Sequence, residues 1–230
     1  MTVPRRPAPP LDLSRVKALL FDVDGTLADS DNAMTDRVSR LLRPLRFLVN
    51  EAKAAAFSRK LVIAAESPGN LLLELADRVS MDHLIARFLE RRAARQNARV
   101  LPVIPGVPDM LAALHVRFPM AVVSARNNLT TLSFLRAHNL DAYFSLVVTS
   151  QTCARTKPFP DPLLFAAQTL GVPIENCLMI GDTTPDVRAA LAAGAQSLSV
   201  LCGFGTQKEL ERAGTQHVLP STADLAEFLR

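Results

Sequence analysis

The stretch that decides the fold is Val16-Lys17-Ala18-Leu19-Leu20-Phe21-Asp22-Val23-Asp24-Gly25-Thr26, an apolar run that ends in two acidic residues. Residues 16–21 have the length and composition of a buried strand. One residue separates Asp22 from Asp24, and Gly25 follows them. Because a single Asp-X-Asp-Gly is more typical of a turn or helix cap than of a catalytic pair, its meaning depends on the other strand ends.

Apolar runs of strand length also occur in the second half of the chain. Four further apolar runs have the length of strands, at residues 120–123, 146–148, 177–180 and 197–201. Helical patterns lie between or after them, at residues 107–118, 127–138, 160–170, 185–193, 207–213 and 221–230. Strands that alternate with helices predict an α/β fold, here a doubly wound, parallel, Rossmann-like sheet covered on both faces.

Residues 30–101 differ from this pattern, because their Leu, Ala, Phe and Arg residues recur at helical spacing. They predict a helical cap domain inserted after the first strand. Pro102, Pro105 and Gly106 mark the return to the core, so the predicted α/β core comprises residues 13–29 and 102–230. Residues 1–12, rich in proline at the start, are predicted to be a disordered arm rather than an export signal.

The predicted cap is basic, and this charge has more than one interpretation. The chain has a net charge of +4, and Arg87, Arg91, Arg95 and Arg99 recur every four residues. Such a row could face the cleft and attract an anionic substrate, although a solvated outer face is commoner. With 1 Tyr and 0 Trp, the chain has no basic stretch interleaved with aromatic residues. We therefore expect no nucleic-acid partner.

Composition places the chain among ordinary soluble proteins, at 49% hydrophobic and 21% charged residues. No run approaches the roughly 18 to 20 apolar residues that a membrane span requires, so we expect no membrane partner. Cys153, Cys177 and Cys202 form neither a pairing pattern nor a metal-ligand spacing. An odd number of cysteines without an export signal predicts reduced thiols and a cytoplasmic location.

Chemically useful side chains follow four of the predicted strands. They are Asp22 and Asp24, Ser124, Lys157, and Asp182 with Asp186. Because ligands of parallel α/β sheets bind beyond the carboxyl ends of the strands, we expect these side chains to share one rim.

This set of groups suits a phosphorylated substrate. Carboxylate oxygens suit Mg²⁺, which together with the ammonium group of Lys157 would offset their repulsion of a phosphate. Ser124 and nearby N–H groups could hold phosphate oxygens. A carboxylate nucleophile would form an aspartyl-phosphate, and a second acid two residues on could transfer the protons.

At these positions the chain resembles the haloacid dehalogenase superfamily of phosphatases. The likeness is carried by residues 22–27, by Ser124 after an apolar run, by Lys157-Pro158 and by residues 181–186, and it extends to residues 193–195 and 203–205. The position of the insertion, with Asp29-Ser30 as its hinge, resembles the helical-cap subgroup that includes phosphoglycolate phosphatase.

The resemblance implies a role for each residue. Asp22 would be the nucleophile and a metal ligand, and Asp24 the acid/base and a ligand through its backbone carbonyl. Asp182 would bind Mg²⁺, with Asp186 supporting that site directly or through water. Ser124, the adjacent Ala125 and Lys157 would contact the substrate, with Lys157 bridging nucleophile and phosphate.

These features favour magnesium-dependent hydrolysis of a small-molecule phosphate monoester. Dehalogenases of the superfamily lack the second aspartate, so Asp24 argues against that activity. A phosphomutase or a pyrophosphatase on the same core stays open as an alternative. A non-catalytic binding or regulatory protein is disfavoured, because Asp22, Asp24, Lys157 and Asp182 are all present.

Overall fold

The computed structural model of the chain describes residues 10–30 and 101–230. The first nine residues of the predicted arm, the predicted cap apart from its two end residues, and the four arginines of the cap lie outside the described residues. No helix in residues 10–30 or 101–230 is long and apolar enough to cross a membrane.

Strands and helices alternate along the described core. The strands are β1 (Ala18–Phe21), β2 (Met120–Val123), β3 (Leu146–Val148), β4 (Cys177–Gly181), β5 (Gln196–Val200) and β6 (His217–Leu219). The helices are α1 (Val107–Leu114), α2 (Asn128–Ala137), α3 (Asp161–Leu170), α4 (Thr184–Ala193), α5 (Gln207–Ala213) and α6 (Leu225–Phe228). Short 3₁₀ helices occupy Leu13–Arg15, Asp141–Tyr143, Ile174–Asn176 and Thr222–Asp224.

All strand pairs of this sheet are parallel, in the order β3-β2-β1-β4-β5-β6. The predicted α/β, doubly wound, Rossmann-like core is therefore confirmed. Phe21, at the end of β1, pairs with Val122 on one side and with Ile180 on the other. This register brings the chain segments after β1, β2 and β4 to the same edge of the sheet.

Two apolar clusters cover the two faces of the sheet. Along β1, Leu19 and Phe21 belong to one cluster, whereas Ala18 and Leu20 belong to the other. The first cluster includes side chains from α1, α2 and α6, and the second includes side chains from α3 and α4. Since successive side chains of a strand point to opposite faces, a fully apolar β1 fits a strand buried on both sides.

The structure differs from the sequence-based prediction at several element ends. The strand β6 was not predicted, because it begins with His217 and only its last two residues are apolar. The strand β1 begins at Ala18 rather than at residue 16, since a 3₁₀ helix ends just before it at Arg15. The helix predicted over residues 221–230 is a 3₁₀ turn capped by Ser221 and followed by the short α6.

The chain already contacts the core shortly before residue 13, where the core was predicted to begin. The backbone N–H of Asp12 donates to the side-chain oxygen of Gln196 at 2.7 Å, and the amide nitrogen of Gln196 donates to the carbonyl of Asp12 at 3.0 Å. Leu11 packs against the first apolar cluster. These contacts attach the end of the predicted arm to β5.

Candidate active site

A tight turn follows β1 and separates its two acidic residues. The carbonyl of Val23 accepts hydrogen bonds from the N–H groups of Thr26, Leu27 and Ala28, at 3.3, 2.9 and 2.8 Å. Gly25 has a φ of +70°, a conformation that L side chains rarely adopt. Asp22 lies buried at the end of the strand, whereas Asp24 in the turn is only partly buried.

Three buried carboxylates meet at this edge of the sheet. Asp22, Asp182 and Asp186 each offer an oxygen, and these oxygens all lie within 4.8 Å of one another. Asp22 is 7% exposed, Asp182 0% and Asp186 1%. Because an unpaired buried charge costs several kcal/mol, such a group needs nearby positive charge or protons.

Lys157 supplies one positive charge to this cluster. Its ammonium nitrogen lies 2.7 Å from Oδ1 of Asp22 and donates to Oδ1 of Asp186 at 2.6 Å. Burial alone would lower the pKa of Lys157, but the carboxylates of Asp186 and Asp22 raise it above its ordinary value. Lys157 therefore stays charged and bridges two of the three acids.

The Lys157 ammonium group neutralises only part of the negative charge of the three carboxylates. Burial raises the pKa of Asp22 to about 7; the Lys157 ammonium opposes this shift, and the carboxylates of Asp186 and Asp24 reinforce it. Burial, with Asp186 and Asp22, raises the pKa of Asp182 well above its ordinary value. One ammonium group among three carboxylates leaves an excess of negative charge, and convergent carboxylate oxygens are the donors that hard divalent cations prefer. The residues present therefore fit a metal ion.

Each oxygen of Asp182 has a donor that fixes its position. The hydroxyl of Thr26 donates to Oδ1 at 3.2 Å, and the backbone N–H of Phe204 donates to Oδ2 at 2.8 Å. Gly25 and Gly203 lie against the same carboxylate: a Cβ atom at either position would lie 2.2 or 2.1 Å from Oδ2. Close backbone approach therefore explains why glycine flanks Phe204 and follows Asp24.

Asp186 combines a structural contact with its place in the cluster. Its Oδ2 accepts hydrogen bonds from the N–H and hydroxyl of Thr183, at 3.0 and 2.6 Å, which caps the first turn of α4. Its Oδ1 accepts the bond from Lys157. Because both oxygens are engaged, Asp186 links the start of α4 to the lysine and holds both in place.

The loop after β2 carries the predicted phosphate contacts. Ser124 is buried, and its backbone N–H donates to the carbonyl of Val148 at 2.9 Å. Its hydroxyl oxygen accepts a hydrogen bond from the N–H of Arg126 at 3.2 Å. Ala125 lies exposed between them.

Asp24 lies outside the carboxylate cluster and pairs with Arg126 instead. Nε of Arg126 donates to Oδ2 of Asp24 at 2.6 Å, and Nη2 donates to Oδ1. The metal role predicted for Asp24 depends on its backbone carbonyl and stays a prediction.

The profile of haloacid dehalogenase-like hydrolases matches residues 19–200 of this sequence, which span β1 to β5 and all four groups of site residues. The chain belongs to the haloacid dehalogenase-like hydrolase family. The resemblance read from the sequence is thereby confirmed, and with it the prediction of an enzyme of the hydrolase class.

Individual relatives are similar over most of their length. A phosphoglycolate phosphatase of Neisseria meningitidis is 29% identical over 202 residues, which cover 84% of this chain and 83% of the relative. A phosphoglycolate phosphatase of Chromobacterium violaceum is 28% identical, over 96% and 99% of the two chains. Among solved structures, a haloacid dehalogenase-like hydrolase of Bacteroides fragilis superposes with a TM-score of 0.70 at 25% identity, over 91% of this chain and 99% of its own.

The predicted site residues thus fall into two groups. The structure brings Asp22, Lys157, Asp182 and Asp186 into one buried cluster. Asp24 and Ser124 are joined by Arg126 next to it. Sequence reasoning missed the N–H of Phe204 as a donor to Asp182, and the only signal for it was the pair of glycines on either side.

Proposed function

We propose that the chain is a phosphatase that hydrolyses a small phosphate monoester through a phosphoryl group carried on Asp22. One observation carries the proposal: the ammonium group of Lys157 bridges Asp22 and Asp186 within a buried cluster of three carboxylates. Such a lysine orients one carboxylate oxygen and supplies positive charge where an anionic phosphate must approach.

Mg²⁺ is the proposed cofactor. The carboxylates of Asp22, Asp182 and Asp186 would hold it, together with the backbone carbonyl of Asp24. When bound, a divalent cation would offset the excess negative charge of the cluster and of the substrate's phosphoryl oxygens.

The proposed reaction has two steps, both carried by residues of this chain. In the first, an oxygen of Asp22 forms a bond to phosphorus, the bond from phosphorus to the leaving oxygen breaks, and Asp24 gives that oxygen a proton. In the second, Asp24 takes a proton from water as the water oxygen bonds to phosphorus. The bond between phosphorus and Asp22 then breaks, which releases phosphate and restores both carboxyl groups.

Two further residues would hold the phosphoryl group during both steps. Ser124 would donate its hydroxyl to a phosphoryl oxygen, since it lies at the end of β2 next to the strand that carries Asp22. Lys157 would keep the Asp22 oxygen oriented and contact the phosphoryl group as it arrives.

Phosphoglycolate is the first substrate to test. Relatives that carry the name phosphoglycolate phosphatase match 84% and 96% of this chain, at 29% and 28% identity. A small anionic monoester also agrees with a site built from a lysine and a metal-binding cluster.

A panel of phosphate monoesters, phosphoglycolate among them, tests the proposed function through phosphate release with Mg²⁺ and after chelation. The wild-type protein should release phosphate only with Mg²⁺, and Asp22→Asn should release none. Absence of release from every ester, or unchanged release by Asp22→Asn, would contradict the proposal. The first of these results would favour a binding protein.

A further inference from the structure

Arg126 and Asp24 form a bidentate ion pair next to the carboxylate cluster. Nε of Arg126 donates to Oδ2 of Asp24 at 2.6 Å, and Nη2 donates to the other oxygen. We propose that Arg126 is a positioning residue, which sets where the Asp24 carboxylate lies for proton transfer to the leaving group. This inference rests on the proposed function, in which Asp24 is the acid/base.

Arg126 is itself held from other sides. Its backbone carbonyl accepts a hydrogen bond from the N–H of Ser150 at 2.9 Å. Its guanidinium carbon lies 5.8 Å from the centre of the Phe134 ring on α2, a distance at which a cation and an aromatic ring attract each other. The side chain of Arg126 is only 18% exposed. An anchored guanidinium group can therefore fix the carboxylate that it binds.

The same residue fixes Asp24 relative to the predicted phosphate contact. The N–H of Arg126 donates to the hydroxyl oxygen of Ser124 at 3.2 Å. Arg126 thus joins the serine that would hold the phosphoryl group to the acid that would protonate the leaving oxygen. Their relative position matters, because misplacement of a catalytic group by about 1 Å can cost about 100-fold in rate.

The ion pair leaves Asp24 able to react. A carboxylate has about four lone-pair sites, and a guanidinium fork uses two of them. The side chain of Asp24 is 35% exposed, so part of it remains open to a substrate or water. A lysine at position 126 would supply the positive charge without the planar, two-point contact of a guanidinium group. The specific contribution of Arg126 is therefore to orient the Asp24 carboxylate.

The test compares two leaving groups within one preparation. For each protein, kcat/KM is measured for 4-nitrophenyl phosphate, whose leaving group needs little protonation, and for the alkyl phosphate that the wild type hydrolyses best. Arg126→Gln should lower the ratio of alkyl to aryl kcat/KM by about tenfold or more, because proton transfer typically contributes 10²–10⁴-fold. Arg126→Lys should lower the ratio by less. The ratio does not depend on the fraction of protein that folds.

A second comparison separates positioning from a general loss of activity. In an Asp24→Asn background, where the proton donor is gone, the ratio is taken from single-turnover rates of leaving-group release, and Arg126→Gln should leave it unchanged. A ratio equal to that of the wild type in both single Arg126 variants would overturn the inference while leaving the proposed function intact. A further fall of the ratio in the Asp24→Asn background would also overturn it. A wild type that hydrolyses neither ester would overturn the proposed function and this inference together.

Discussion

Nζ of Lys157 lies 2.7 Å from Oδ1 of Asp22, and both side chains are buried at the edge of the sheet. The lysine follows β3 and the aspartate follows β1, so the contact forms only when the parallel sheet is assembled. It orients one carboxylate oxygen and places a cation beside it.

Removal of the Lys157 ammonium group should affect both stability and turnover. Lys157→Met leaves three buried carboxylates without their ammonium group, so the metal-free variant at about pH 8 should lose roughly 3 kcal/mol of unfolding free energy. Turnover should fall by about 100-fold or more. Urea denaturation and initial rates measure the two effects. Lys208→Met, which changes an exposed lysine on α5, should alter neither.

The stability of the metal-free protein should fall as the pH rises towards neutrality. Burial raises the pKa of Asp22 to about 7 from 3.8, and it also raises the pKa of Asp182. Such groups stabilise the fold while protonated, so their contribution is lost as pH rises from the unfolded value through the folded one, by about 1.4 kcal/mol per pH unit and group.

In EDTA, therefore, Tm should be higher at about pH 5.5 than at about pH 7.5. Asp22→Asn should show a smaller difference, because its side chain does not titrate. A wild-type Tm that rises over this interval, or an equal pH dependence in Asp22→Asn, would count against the protonated cluster.

Mg²⁺ should stabilise the protein through the same carboxylates. Saturating Mg²⁺ should raise Tm, since a ligand at about 100 times its Kd adds roughly 2.7 kcal/mol. Asp182→Asn should lose most of this shift, because it removes one of the three convergent carboxylates. Asp161→Asn, at the exposed ion pair with Arg155, is the matched control and should keep the shift. An unchanged Mg²⁺ response in Asp182→Asn would place the ion elsewhere.

A single methyl group at position 203 should disturb the site. A Cβ atom there would lie 2.1 Å from Oδ2 of Asp182, so Gly203→Ala must displace that carboxylate. Activity should fall by about tenfold or more, since displacement of a site group by about 1 Å can cost about 100-fold. Gly171→Ala provides the comparison, because no atom of residues 10–30 or 101–230, its chain neighbours aside, lies within 4 Å of a Cβ placed there. Its φ of +68° should cost about 1 kcal/mol of stability and no activity.

Local signals predicted much of the core. The strands β2 and β3 and the helix α5 have the predicted bounds, because turn-forming residues or strong periodicity delimit them. The strand β6 was missed, since its three residues form part of the sheet only through their pairing with β5. For a strand with only two apolar residues, tertiary pairing outweighs local pattern.

The site was predictable where residues follow strand ends and unpredictable where contacts join distant side chains. Asp22, Lys157, Asp182 and Asp186 each follow a strand or its loop, so the parallel sheet brings them together. The ion pair of Arg126 with Asp24 spans 102 positions, and nothing in the local sequence of either residue specifies it. The same is true of the bond from the N–H of Phe204 to Asp182.

The most direct test of the central claim is the fate of the phosphoryl group in Asp24→Asn mixed with 4-nitrophenyl phosphate and Mg²⁺. This ester needs little proton donation, so Asp22 should still accept the phosphoryl group, but the next step lacks its base. One equivalent of nitrophenolate should appear in a burst, and acid-quenched protein should carry phosphate on the peptide that contains Asp22. Steady turnover without a burst, or phosphate on another residue, would contradict Asp22 as the nucleophile.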